Sequence, residues 1–445
     1  MTSARLPLLA HGGPERIVAW RADGPVYTQR FLSDVARLAE RLPAGAAVLN
    51  ICQDRYRFLV GFAASVVTGR VTLLPPAQTP EAIARLKDFA ADVFCLHDGN
   101  GAAIDLPGLA FPELDAGEVA AMPAIDVEQT VVVLFTSGST GLPTPHVKKW
   151  GALALSSQGE AERFDASRPG YAIVGTVPVQ HSYGFESIIM LTLQSRSAVW
   201  CGWPFYPADI ATALAAVPRP RLLVTTPFHL HALLDAGVDV PPVDRLLSAT
   251  APLSDVLARE AEQRLGAPMV EIYGCTETGQ LASRRTIEGP VWNPLPGVRL
   301  EHEEDLTYAL GGNNCARQLL GDVIEIHADG RFSLHGRNAD MVNIAGKRTS
   351  IAYLNHQLMD IAGVKDGCFF MPDEISVDGI TRLAAFVVAP TLDARQLRAA
   401  LRGRIDPIFL PRPLVLLDRL PRNPTGKLLR VDLQALYAQH GRSAP

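Results

Sequence analysis

The segment Thr130-Val-Val-Val-Leu-Phe135 shows no polar alternation, and that constrains the fold more than any other stretch of the chain. A strand with one wet face alternates apolar and polar side chains. One that is apolar throughout needs cover on both faces, as inner strands of α/β sheets have. Leu222–Thr225 and Met269–Ile272 repeat the pattern, and Ser254–Leu265 between them has helical spacing with Ser254 placed to cap it. Strands of this kind alternating with helices define the α/β class. Near residue 320 the texture changes. Val323–His327 and Arg331–Leu334 flank Ala328-Asp329-Gly330, a hairpin signal. A helix around Ile351–Ile361, a strand at Ala384–Val388 and a helix from Ala394 to Arg402 follow, the last with Asp393 and Gln396 as a capping box. The expected division is a large N-terminal α/β region, 1–339, and a small C-terminal α+β region, 340–445, with the boundary at Asp340.

Composition removes several function classes. A hydrophobic content of 48% excludes extended disorder, and a net charge of −5 argues against a nucleic-acid binder. The charge is uneven: residues 341–445 carry net +5, the first 340 net −10. The cysteines Cys52, Cys95, Cys201, Cys275, Cys315 and Cys368 form no CxxC and have no histidine at metal-ligand spacing. They read as free thiols of a reducing compartment. The N-terminus lacks the apolar core of a signal peptide, and Leu59–Thr68 is too short to span a bilayer. The expectation is a cytoplasmic protein without a membrane span.

Four short motifs carry chemistry. Thr136, Ser137, Gly138, Ser139, Thr140 and Gly141 follow directly on the apolar strand. Such a loop presents backbone N–H groups and hydroxyls that wrap phosphate oxygens without Cβ clashes. A Ser/Gly turn of no function has the same composition, and the spacing is not that of a Walker A loop. Glu271-Ile-Tyr273-Gly274-Cys275-Thr276-Glu277 again ends a strand, offering a flat ring, a hydroxyl donor and a hard oxygen ligand for Mg²⁺. Gly321-Asp322 enters the hairpin, with Gly336-Arg337 on its far side. Asn423-Pro-Thr-Gly-Lys427 is a tight turn presenting one lysine.

Together with the His181-Ser-Tyr-Gly184 segment and the stretch Gly336-Arg-Asn-Ala-Asp340, these motifs resemble, in order and spacing, the ANL superfamily of adenylate-forming enzymes, over roughly Thr130 to Lys427. The resemblance implies a large multi-sheet α/β domain with a small mobile α+β lid, and a two-step reaction. A carboxylate first attacks the α-phosphate of ATP to give an acyl-adenylate and pyrophosphate, and a thiol then takes the acyl group. It further implies that Thr136–Gly141 hold the β- and γ-phosphates. Tyr273, Gly274 and Ala251 would border adenine, Thr276 would contact the α-phosphate, and Glu277 would bind Mg²⁺. Asp322 would hold the ribose with Arg337 beside it, Asp340 would be the hinge, and Lys427 would bridge carboxylate and α-phosphate.

The chain departs from the family pattern in three places. Thr144 stands where the family usually has the phosphate-loop lysine, with Lys148 as the expected substitute and Lys149 beside it. Asn343 replaces the usual hinge-stretch lysine, and Gln318-Leu-Leu precedes Gly321-Asp322 in place of an aromatic and basic lead. His181 has the gate position, and Ser182 stands where ligases for α-amino acids usually place aspartate. A pocket of His181, Phe185, Phe228, Ser248 and Cys275 suits a flat aryl acid. These features are similar to the aryl-acid ligases of bacterial aryl-polyene (xanthomonadin-type) pigment clusters. That likeness implies a 3-hydroxybenzoate-type acid and, as acceptor, the phosphopantetheine thiol of an acyl carrier protein. A coenzyme A synthetase and a catalytically weakened adenylate-binding protein are the alternatives.

Overall fold

The computed structural model describes residues 4–10, 13–75, 78–99, 104–115, 121–137, 143–163, 170–304, 306–312, 314–337, 341–344, 347–372, 382–423 and 426–440. The apolar strand runs Thr130–Ser137, inside a six-stranded sheet. It is parallel to Val71–Leu74 on one side and antiparallel to Pro143–Lys149 on the other. Its lack of alternation has the expected cause. Val132 and Leu134 enter one hydrophobic core while Val133 and Phe135 enter another on the opposite face.

A second, eleven-stranded sheet forms the other layer. Its centre is the parallel run Ala172–Gly175, Arg221–Thr225, Arg245–Ser248 and Met269–Cys275. In such sheets ligands bind beyond the carboxyl ends of the strands. The helices that return the chain start at those ends. Thr226 caps Pro227–Asp235 by accepting from His229 N, and Ser254 caps Asp255–Leu265 by accepting from Leu257 N at 3.2 Å. Each such cap contributes about 0.5–2 kcal/mol. Gly266, with φ of +67°, ends the second helix in the left-handed conformation that glycine adopts without strain.

The hairpin expected near residue 325 forms between Asp322–Ile326 and Phe332–Arg337. Beyond it the chain closes a separate core of Val342, Leu354, Phe369, Leu397, Leu401 and Leu414. Three strands, Asp366–Phe370, Ala384–Val388 and Leu414–Leu416, carry this unit with the helices Ile351–Met359 and Ala394–Arg402. The first helix stops two residues short of the expected Ile361, which instead packs into the core from the turn that follows. Asp393 and Gln396 do form a reciprocal capping box. Asp340, the expected hinge, lies outside the described residues.

The small unit is seated on the large one. Lys365 Nζ pairs with Asp235 Oδ1 at 2.6 Å, and Ser350 Oγ donates to His335 O at 2.8 Å. Gly336 permits that second contact, because a Cβ there would meet Ser350 Cβ at 2.4 Å. The described cysteines are free thiols, and no described helix is long and apolar enough to cross a membrane.

Candidate active site

The strand Met269–Cys275 ends in a hairpin with Gly279–Arg284, and its register slips between Tyr273 and Gly274. Glycine is required at 274, since a Cβ would lie 2.2 Å from Gly279 O. The turn leaves Tyr273, Cys275, Thr276 and Glu277 half-buried. Trp292 and Phe332 hold the Tyr273 ring, with centroids at 5.6 and 5.7 Å, and its hydroxyl donates to Asp322 Oδ2 at 2.7 Å. Asp322 is the register partner of Arg337, whose side chain lies outside the described residues. The ring and the carboxylate expected to take base and ribose are thereby joined. Ala251 is half-buried and follows Thr250, whose φ of +78° is unusual for a residue with a branched side chain.

The residues expected on the phosphate side gather around Glu277. Thr136 lies near the end of its strand, Ser137 is described in backbone only, and Gly138, Ser139, Thr140 and Gly141 lie outside the described residues. Thr136 Oγ1 is 2.9 Å from His146 Nε2, which in turn is 3.8 Å from Glu277 Oε1. Burial would raise the Glu277 pKa. Bonds from its own N–H and the Cys275 thiol, with His146 and Lys148 nearby, outweigh that and hold it below the ordinary glutamate value. Lys148, expected at the phosphates, is completely buried, and its ammonium donates to the Glu277 carbonyl at 2.8 Å. Its ammonium thus lies against the main chain of Glu277. Burial lowers its pKa, partly offset by Glu186, Cys275 and Glu277. Lys149 points the other way and pairs with Glu128 at 2.6 Å.

On the acid side His181 Nδ1 accepts from Tyr183 N at 3.3 Å, which leaves Nε2 to carry the proton of the neutral ring. Burial, with Lys427 adding to it, pushes the imidazole down to about 4. Lys427 is exposed on its turn, where Asn423 Oδ1 accepts from Lys427 N at 2.8 Å. Arg422 anchors the turn by a bidentate bond to Asp366 at 2.6 and 2.8 Å. Gly426, with φ of +80°, sits so close to Phe228 that a Cβ would be 3.0 Å from Phe228 Cβ. The turn therefore rests on the first turn of Pro227–Asp235, and Lys427 lies near enough to His181 to contribute to its lowered pKa.

The remaining expected pocket residues separate into two groups. Phe228 is 40% exposed beside the lid. Ser248 is fully buried, and its hydroxyl meets no hydrogen-bond partner among the described residues. Burial pushes the Cys275 thiol up to about 11, and its Sγ lies 3.1 Å from Thr278 Oγ1. Phe185 is elsewhere: its ring packs edge-on against Phe62 at 5.0 Å, inside the core between the sheets.

Sequence reasoning missed three residues. His146 was legible, because period-two alternation puts 144, 146 and 148 on one face. His229 sits under the lid turn with Nδ1 3.0 Å from Thr226 Oγ1, Nε2 buried and unpartnered among the described residues, and its pKa pushed to about 4 by burial. Phe205 and Phe228 meet its ring edge-on at 5.2 and 5.3 Å. Glu186, in a π-helical turn Phe185–Met190, accepts from Ser182 Oγ at 2.9 Å and Gln280 N at 3.2 Å. Such turns commonly mark functional sites.

The donor set suits a nucleotide with Mg²⁺. No group of three or more His, Cys, Asp and Glu residues able to hold a metal ion occurs among the described residues. An ionised Glu277 still fits Mg²⁺, which keeps most of its water and takes one or two carboxylates together with substrate phosphates.

The profile described as AMP-binding enzyme matches residues 30–305. A 4-coumarate–CoA ligase of Rhodobacter capsulatus is 28% identical over 63% of this chain and 68% of its own length. A 3-hydroxybenzoate–CoA/4-hydroxybenzoate–CoA ligase of Thauera aromatica is 24% identical over 73% of this chain and 70% of its own. Among solved structures, O-succinylbenzoate coenzyme A synthetase from Bacillus subtilis, in complex with ATP and magnesium ion, superposes with a TM-score of 0.79 at 19% identity. It covers 97% of this chain and 100% of that one.

Proposed function

The chain belongs to the AMP-binding enzyme family and is an adenylate-forming acid–thiol ligase; from that premise we propose that it activates a hydroxybenzoate-type aryl acid and passes it to a phosphopantetheine thiol. The observation that carries the reading is the seating of the turn that bears Lys427: Gly426 lies against Phe228, a residue of the expected acid pocket, and Lys427 is near enough to His181 to help lower its pKa. In this arrangement a carboxylate oxygen attacks the α-phosphorus, and the bond to the bridging oxygen of pyrophosphate breaks. Lys427 neutralises charge spreading over carboxylate and phosphate, Glu277 would hold a Mg²⁺ that adds to that neutralisation, and Tyr273 with Asp322 fixes the nucleoside. The thiolate then attacks the acyl carbon and AMP leaves.

Two uncharged imidazoles, His181 and His229, the second flanked by Phe205 and Phe228, support a flat neutral ring over an ammonium-bearing substrate. The ligases to which the chain is similar support the same class. They also support coenzyme A as the acceptor, which reverses the order implied by the likeness to pigment-cluster ligases. One observation keeps the carrier protein as the second reading. Arg395, Arg398 and Arg402 share the exposed face of the helix Ala394–Arg402, opposite buried Leu397 and Leu401. Such a stripe fits an acidic partner protein.

ATP–pyrophosphate exchange over hydroxybenzoates, cinnamates, fatty acids and α-amino acids tests the acid. Exchange with hydroxybenzoates is expected, and exchange confined to fatty or amino acids contradicts the reading. Thioester formation with coenzyme A against a holo-carrier protein settles the acceptor. If the carrier is used, Arg398→Glu with Arg402→Glu raises its apparent KM and leaves pyrophosphate exchange unchanged.

A further inference from the structure

The strand that returns from the phosphate loop turns one face toward Glu277. Its register sets Thr144 opposite Thr136, His146 opposite Leu134 and Lys148 opposite Val132, so these side chains share a side of the sheet. It is the side on which Val132 and Leu134 enter the core between the layers. Two of the three reach Glu277 from different directions. Lys148 holds its backbone carbonyl at 2.8 Å. His146 Nε2 lies 3.8 Å from its carboxylate and 2.9 Å from Thr136 Oγ1. One ring nitrogen therefore stands between the hydroxyl that opens the phosphate loop and the carboxylate assigned to the cation.

We propose that His146 is a positioning residue for the nucleotide–metal complex, joining Thr136 and Glu277 into one preset unit in a chain whose loop has Thr144 in place of lysine. A glutamate side chain has several rotamers, and a cation that has to select one binds more weakly than a cation that meets a carboxylate already placed. The Glu277 main chain is pinned by Lys148 and its carboxylate accepts from its own N–H and the Cys275 thiol, and His146 Nε2 is the group that stands between that carboxylate and Thr136. The same imidazole orients the Thr136 hydroxyl at the mouth of the loop. Outer-shell partners of this kind are worth about 10- to 100-fold in metal affinity.

The inference rests on the family chemistry and not on which acid or thiol is used, so its test omits both. Mn²⁺ binding to the full chain in the presence of ATP, followed by electron paramagnetic resonance, compares His146→Gln with His146→Asn. The glutamine amide nitrogen can occupy the place of Nε2, whereas asparagine is one methylene too short to reach Thr136 Oγ1. The expected result is near-native affinity for His146→Gln and an about 10- to 100-fold loss for His146→Asn. AMP binding should be equal in both, because AMP brings no β- or γ-phosphate to the loop. Equal Mn²⁺ affinity in the two variants, whether both native or both weakened, overturns the proposal. So does a loss of AMP binding that parallels the loss of Mn²⁺.

Discussion

Lys148 and Lys427 approach the same site from opposite ends of the chain, and their surroundings could hardly differ more. Lys148 is fully buried on a sheet strand, donates to a backbone carbonyl, and has its pKa lowered by desolvation. Lys427 is exposed on a turn of the small unit, held by Asn423 and Arg422 and seated against Phe228. A buried charge with fixed partners cannot follow a reaction; it can only hold geometry. An exposed charge on a separately folded unit can be brought in and withdrawn. The contrast supports the proposal that the first lysine is scaffolding and the second neutralises charge in the transition state.

The largest effect that would break this division is on stability. Lys148→Met leaves the Glu277 carbonyl without its donor and Glu186 without a nearby cation. Removing one side of a buried charge arrangement costs about 3–5 kcal/mol. The melting temperature should fall markedly and exchange should be lost with it. A normally stable Lys148→Met with only a raised ATP KM would instead make Lys148 a direct phosphate ligand.

A smaller effect sharpens the other side. If Lys427 lies near His181 as described, Lys427→Met should raise the His181 pKa from about 4 in a histidine NMR titration. It should remain below the ordinary value, because burial is the larger cause. The sign for stability follows: a depressed imidazole pKa stabilises the fold above the unfolded value, and that contribution fades as pH falls from about 6.5 to about 4. No change in His181 would mean that the lid turn does not rest there.

The smallest effect concerns the buried floor on the Lys148 side. Glu160 is fully buried, accepts from Ser187 Oγ at 2.8 Å, and is raised to about 8, chiefly by desolvation. A raised carboxyl pKa gives stability that is complete below about 4.5 and is lost as pH climbs toward about 8. Glu160→Gln should remove this slope and leave melting nearly flat across neutral pH. An unchanged slope would place the titrating group elsewhere.

The same contrast explains how much could be read from residues alone. Thr130–Phe135 announced its two-sided burial through composition, and Asp393 with Gln396 announced a helix start, because both signals are local. The split between Lys148 and Lys149 was less so, because the strand continues through Pro143–Lys149 with a register shift between the two lysines that the neighbouring pair conceals. Phe185 was not legible in that way. It opens a π-helical turn, whose wider winding departs from the 3.6-residue period, and its ring faces Phe62. The seating of Gly426 and its turn against Phe228 joins residues far apart in the chain, and no local pattern encodes it.

The account turns on Lys427 acting in the first half-reaction. Its most direct measurement is ATP–pyrophosphate exchange by Lys427→Ala beside thioester formation from supplied acyl-adenylate. Loss of one charge-stabilising donor typically lowers rate by about 10²–10³. The account predicts that loss in exchange, with transfer from the adenylate preserved. Equal loss in both halves, or in neither, would contradict it.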